Sequence, residues 1–193
     1  MQPAPQWAVS IQPSYNREVN TQQFVTARDG GGAATFGGRY IFASVDRSTW
    51  AAEVRLSYTF KPELTLDLYA EPFAASGRYG DYGELAQASS RLIRRYGEAG
   101  TTLTLLANGS RVVTDGAATF PLPNRDFNVQ SFRSNLVLKW EWRPGSTLYL
   151  VWQQNRTEEE ALSGRISIGD MFSSAGARGD NFFAIKASFW IAP

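Results

Sequence analysis

At 193 residues the chain suffices for one domain, or for a closed barrel of about eight strands, and its 19 Lys and Arg nearly balance 18 Asp and Glu. Such a balance supplies no strong field for nucleic acid, which is excluded as a partner. With no cysteine and no histidine, the chain lacks disulfides, thiol nucleophiles, thiolate metal sites and any Ser-His or Asp-His hydrolase arrangement.

No run approaches the roughly 18 apolar residues of a membrane helix, and the start MQPAPQWAVS has neither a basic n-region nor an apolar h-region. A secreted or outer-membrane protein would then be met here as a mature form or a fragment. Six Trp, eight Tyr and twelve Phe sit in a chain of mean hydropathy −0.29. That mixture is expected of a transmembrane barrel with a wet lumen.

In chain order, WAVSIQPSY (7 to 15), QQFVTAR (22 to 28) and GRYIFASVD (38 to 46) read as weaker strands, the first edge-like because of Pro13. TWAAEVRLSYTF (49 to 60) is the clearest strand: Trp50, Ala52, Val54, Leu56, Tyr58 and Phe60 share one face, and Ala51, Glu53, Arg55, Ser57 and Thr59 the other. After KPE, LTLDLYAEPF places Leu64, Leu66, Leu68 and Ala70 against Thr65, Asp67, Tyr69 and Glu71. Pairing Phe60 with Leu64 sets Arg55 opposite Tyr69, Ser57 opposite Asp67 and Glu53 opposite Glu71, so the faces match.

Residues 74 to 127 then form a long loop, with a short helix expected around ELAQASSRLIRRY and a small hairpin TTLTLLANGSRVVT turning at Asn108-Gly109. LVLKWEWRPGSTLYLVW (136 to 152) repeats the alternation: Leu136, Leu138, Trp140 and Trp142 oppose Val137, Lys139, Glu141 and Arg143, and Leu148, Leu150 and Trp152 follow. A three-residue Pro-Gly-Ser connection, pairing Arg143 with Thr147, keeps the apolar sets on one face. Residues 155 to 179 read as a second, solvated loop, and NFFAIKASFWIAP closes the chain as an aromatic strand carrying Lys186 and Phe189.

Tight turns at one end and long loops at the other describe an antiparallel all-β outer-membrane barrel of eight spans, with periplasmic turns and extracellular loops. Trp50, Tyr58, Phe60, Trp140, Trp142, Trp152 and Phe189 load the ends of the apolar faces, as membrane-girdle aromatics do. Glu53, Arg55, Asp67, Glu71, Lys139, Glu141, Arg143 and Lys186 lie on the opposite faces. A single Lys or Arg turned to lipid near the midplane costs about 2 to 4 kcal/mol, so these charges face the lumen.

The runs LSYTFKPELTLDLYAEPFAASGRY (56 to 79) and RDFNVQSFRSNLVLKWEWRPGSTLYLVWQQNR (125 to 156) resemble the C-terminal part of a bacterial family of uncharacterised outer-membrane-type proteins. Members often carry an N-terminal domain similar to the family 9 carbohydrate-binding module, then a long barrel-like region of unknown function. The resemblance implies an outer-membrane location in a Gram-negative-type bacterium. It also implies a barrel piece that further strands or subunits would close. It assigns no catalytic residue, cofactor or metal.

The expected function is therefore a channel, transport component or membrane anchor, whose partners are the lipid bilayer and the outer-membrane assembly machinery. The alternative is a soluble lipocalin-like barrel, with Trp50, Leu56, Leu138 and Trp152 around a hydrophobic ligand. An enzyme is not expected: pairs such as Asp67 with Glu71 allow acid-base work in principle, but charged pairs in barrel lumens are generally structural. Glu158, Glu159, Glu160, Asp170 and Asp180 lack the spacing of a calcium loop, and RDGGGAATFGG (28 to 38) lacks the Lys-Ser/Thr ending of a phosphate cradle.

Overall fold

The computed structural model describes residues 6–160 and 165–191, so Ala192, Pro193 and part of the second long loop lie outside the described residues. The strands are β1 (Trp7–Asp29), β2 (Gly38–Lys61), β3 (Leu64–Leu85), β4 (Ile93–Arg95), β5 (Thr101–Leu105), β6 (Arg111–Asp115), β7 (Ala118–Leu122), β8 (Phe127–Arg143), β9 (Ser146–Glu160) and β10 (Gly179–Ser188). One six-residue helix, α1 (Ile168–Ser173), precedes β10. The main sheet runs β1-β2-β3-β8-β9-β10, antiparallel throughout, with β4 on β3; β5-β6-β7 form a separate small sheet.

The all-β antiparallel expectation holds, but the closed barrel of about eight strands is not seen: among the described residues no sheet closes, and β1 and β10 are free edges. The expected spans 7 to 15 and 22 to 28 are one strand, as are 38 to 46 and 49 to 60. The polar stretch between the first two stays extended because it is paired residue by residue, Asn16 with Thr49 through Val19 with Asp46. Arg17 clasps Asp46 there through two hydrogen bonds of 2.9 and 2.8 Å. The register shifts twice just beyond, between Phe24 and Thr26 and between Asn20 and Gln23, where the Asn20 side chain accepts the Gln22 amide N–H at 3.0 Å.

Between β2 and β3 the register is the one the alternation requires, with Arg55 opposite Tyr69 and Ser57 opposite Asp67. At the turn, Lys61 rather than Phe60 meets Leu64, a one-residue irregularity. The β8–β9 hairpin departs further. Arg143 pairs with Ser146 across a two-residue Pro144-Gly145 loop, not with Thr147 across three residues. The face match survives because Trp142 is an extra residue: Glu141 meets Thr147, and beyond it Trp140 meets Leu148 and Leu138 meets Leu150. A bulge adds one residue to one strand only, so it exchanges the parity that a two-residue loop would otherwise impose.

Gly145 carries φ +78°, a backbone that L side chains rarely adopt, and a Cβ placed on it would lie 2.8 Å from Cβ of Trp190. Gly145→Ala should therefore lower stability by about 1 kcal/mol or more and displace Trp190, read as a shift in tryptophan emission together with the unfolding midpoint.

Two other elements differ from expectation. The segment ELAQASSRLIRRY is the end of β3, a turn and β4, not a helix; Glu84 and Arg94 are opposed across that β3–β4 pair. The helix that does form, α1, lies in the segment read as a loop, started by a reciprocal cap between Ser167 and Asp170. The expected small hairpin turning at Asn108-Gly109 is β5–β6.

Candidate functional site

Each main strand presents one polar and one apolar face, and antiparallel pairing aligns them across the sheet. On the polar face the charged residues are tied locally. Glu53 pairs with Arg55 of its own strand at 2.7 Å, and Arg55 lies 5.3 Å from the Tyr69 ring centroid. Asp67 accepts a hydrogen bond from Ser57 at 2.6 Å, and Glu71 one from Tyr69 at 3.4 Å. Glu141 accepts the Gly145 amide at 2.9 Å, and Lys186 sits 6.0 Å from the Tyr149 ring. Lys139 stands opposite Thr65 and Tyr149, and Arg143 at the hairpin end opposite Ser146.

The ion pair among these eight residues is thus within a strand; across strands, hydroxyls and rings meet the charges. An open groove of about 450 Å³ crosses this face between Tyr69, Glu71, Arg133, Asn135, Gln153 and Asn155. Both signs of charge and several amides line it.

The apolar face carries aromatic pairs at two levels. Nearest the tight turns are Trp7 with Tyr58 and Tyr58 with Phe60, both at 4.4 Å between centroids, and Trp142 with Trp140 and Phe189 at 6.4 and 5.4 Å. Nearer the long loops are Tyr15 with Trp50 at 4.5 Å and Trp152 stacked on Phe183 at 5.7 Å. All seven aromatics singled out in the sequence belong to these pairs. Trp7, Tyr15 and Phe183, which were not singled out, complete them; Trp7 and Tyr15 share parity eight positions apart. Between the rows stand Val54, Leu56, Leu66, Leu68, Leu136, Leu138 and Leu150.

These rows are oblique to the strands. Tyr15 and Trp50 align through Ala74 with Gln130 of β8, whereas Trp152 and Phe183 align with Leu136. From the β1–β2 seam to the β9–β10 seam, four strand spacings, the row descends from position 130 to position 136 of β8. At about 3.3 Å per residue and about 4.8 Å per strand, that is a slope of roughly 45°. The lower row falls the same way, from the level of Leu138, where Trp7 and Tyr58 lie, to Trp142.

Beyond the upper row the apolar face turns polar: Asp46 holds Arg17 and, at 2.6 Å, Arg165. Over the upper row itself α1 and Ile166 cover the sheet, Ile166 and Met171 packing on Ala52, Ala74 and Trp50. On the polar face at the same end, β5–β7 pack over Val25, Ile41, Ala43 and Tyr82 through Val113, Phe120 and Leu122. Arg39 and Arg94 bridge Glu84 and Asp115 in a ring of 2.5 to 3.0 Å contacts, and Tyr96 donates to Glu84 at 2.9 Å. Hydrogen bonds from Arg94 and Arg39 lower the Asp115 pKa from 3.8 to about 2, and burial together with the bond to Glu84 raises that of the Tyr96 hydroxyl.

Sequence reading missed this ring because its four members come from β2, β3, β4 and β6, with no spacing that announces their meeting. Of the carboxylates weighed for calcium, Asp170 is engaged in capping α1, and Glu158 and Glu159 stand on opposite faces of β9. Among the described residues no group of three or more acidic side chains is placed to hold a metal. No curated protein and no solved structure matches the chain significantly. The family model described as a domain of unknown function, DUF5916, matches residues 4–192, and the chain belongs to that family.

Proposed function

We propose that this sheet is part of the wall of an outer-membrane β-barrel, with the leucine face on lipid and the Glu53, Arg55, Asp67, Glu71 face on an aqueous lumen, acting as a channel, transport component or membrane anchor. The observation that carries the reading is the oblique pair of aromatic rows. Rows that lie level in a membrane require the strands to lean by the slope found here, roughly 45°, and spanning barrels lean by about 35 to 45°. Trp7 and Tyr15 are eight positions apart on β1, which leaves about 20 Å between the rows once the lean is applied, close to the apolar height of such barrels.

The free edges set a condition on this reading. A bilayer cannot satisfy the unpaired backbone groups of β1 and β10, so further strands or subunits with this alternation continue the sheet on both sides. A soluble lipid-binding barrel would place the same leucines inward, yet it offers no reason for tryptophan and tyrosine to gather in two inclined rows. Extraction from cells only by detergent, with a gel mobility that changes on boiling, is the expected result. A chain that stays monodisperse in plain buffer would overturn the proposal.

A further inference from the structure

Granting the proposed lipid contact of the leucine face, on which this rests, we infer that Arg17, Arg78 and Arg165, grouped about Asp46 beyond the upper aromatic row, bind the phosphomonoester headgroup of a membrane lipid.

The three arginines come from separate elements. Tyr15, Arg17 and Val19 share one face of β1, and Trp50, Ser48 and Asp46 lie opposite them on β2, so Arg17 stands one step and Asp46 two steps past the row. On β3 the same two steps lead from Ala74, opposite Trp50, through Ser76 to Arg78, opposite Asp46. Arg165 arrives from the segment before α1, where the next residue, Ile166, donates its amide to the Ser76 hydroxyl at 3.4 Å. One and two steps are about 7 and 13 Å along a strand, or roughly 5 and 9 Å in depth once the lean is applied. That is the level of lipid headgroups.

Asp46 organises the group without neutralising it. Arg17 gives it a fork of 2.9 and 2.8 Å and Arg165 a bond at 2.6 Å, yet their side chains stay 44 % and 59 % exposed. Arg78 is exposed, and no described carboxylate pairs with it. Asp170 is engaged in the α1 cap, and Glu158 stands on β9, two strands from β3. Three cations about one anion leave two positive charges, which match the negative charge of a phosphomonoester near neutral pH. Guanidinium forks meet phosphate oxygens in pairs, and the fork of Arg78 is unused.

Two features select a lipid over a free anion. The cluster stands on the leucine side of the sheet, not on the polar face. Next to it, α1 leaves Ile168 and Phe172 exposed, one turn apart, as an apolar contact for acyl chains that free phosphate cannot use.

The chain in detergent micelles, given equal amounts of phosphatidic acid and phosphatidylcholine with the same acyl chains, should retain the former about tenfold more by native mass spectrometry. Arg78→Gln with Arg165→Gln should abolish that preference. Arg47→Gln, which removes a charge from the other face of β2, should leave it intact. Should the double variant fail to fold, Arg78→Gln alone, which breaks no contact, should still lower retention about threefold. Equal retention of the two lipids, or a preference that survives these variants, would overturn the headgroup site and leave the membrane reading standing. A chain monodisperse without detergent would overturn both. Excess inorganic phosphate should not displace the lipid; displacement would reassign the cluster to a free anion.

Discussion

Leu138→Arg should destabilise the folded protein in phospholipid vesicles by about 2 to 4 kcal/mol, whereas Leu64→Arg should cost about 0 to 1 kcal/mol. The two leucines share the apolar face, but Leu138 lies between Leu66 and Leu150, midway between the aromatic rows, while Leu64 meets Lys61 at the turn and stands beside Trp140. In a bilayer the cost of an arginine follows depth, because near the interface its head reaches water. In a soluble core of the same sheet both leucines would be interior and their replacement would cost alike. Urea titration of the folded fraction in vesicles, followed by tryptophan emission, measures the difference, and equal costs would sink the membrane reading.

Much of the main sheet was legible because one property repeats at period two over long spans. Glu53 to Tyr58 and Leu64 to Glu71 announce both their faces and their register, since a slip of one residue would turn every leucine to the wrong side. The strand lengths were less legible. NREVN looks like a connection by composition, and it is extended only because Asp46 to Thr49 lie across from it, a contact between residues about 30 positions apart. The Trp142 bulge was hidden for a different reason. Parity requires one extra residue near the Pro144-Gly145 turn but does not say whether it sits in the loop or in the strand. The aromatic levels could be read from single strands, whereas their slope needs the pairing of six. The small β5–β7 sheet was the least visible part: its hairpin was evident from Asn108-Gly109, but nothing in its alternation reveals the side chains it packs against.

Local opening of the β5–β7 sheet should be independent of pH from 7 to about 5 and become easier as pH falls from about 4 to 2. In the folded protein Asp115 accepts from Arg94 and Arg39, and its carboxyl titrates at about 2 rather than 3.8. A folded pKa below the unfolded one gives a contribution that is complete above the unfolded value and is lost as pH falls through the folded value. That difference amounts to about 2 kcal/mol at neutral pH, or roughly thirtyfold in the opening equilibrium. The other groups facing this carboxylate do not supply the same transition from the cationic side: Arg39 and Arg94, both raised by their carboxylate partners, stay charged throughout, and Tyr96, raised by burial and its bond to Glu84, stays protonated as a donor. Hydrogen exchange of the β5–β7 amides, corrected for intrinsic rates, should therefore rise about thirtyfold in Asp115→Asn at pH 7 and lose most of its acid dependence, while amides of β8 and β9 change little. An acid transition that persists unchanged in Asp115→Asn would refute the role given to Asp115.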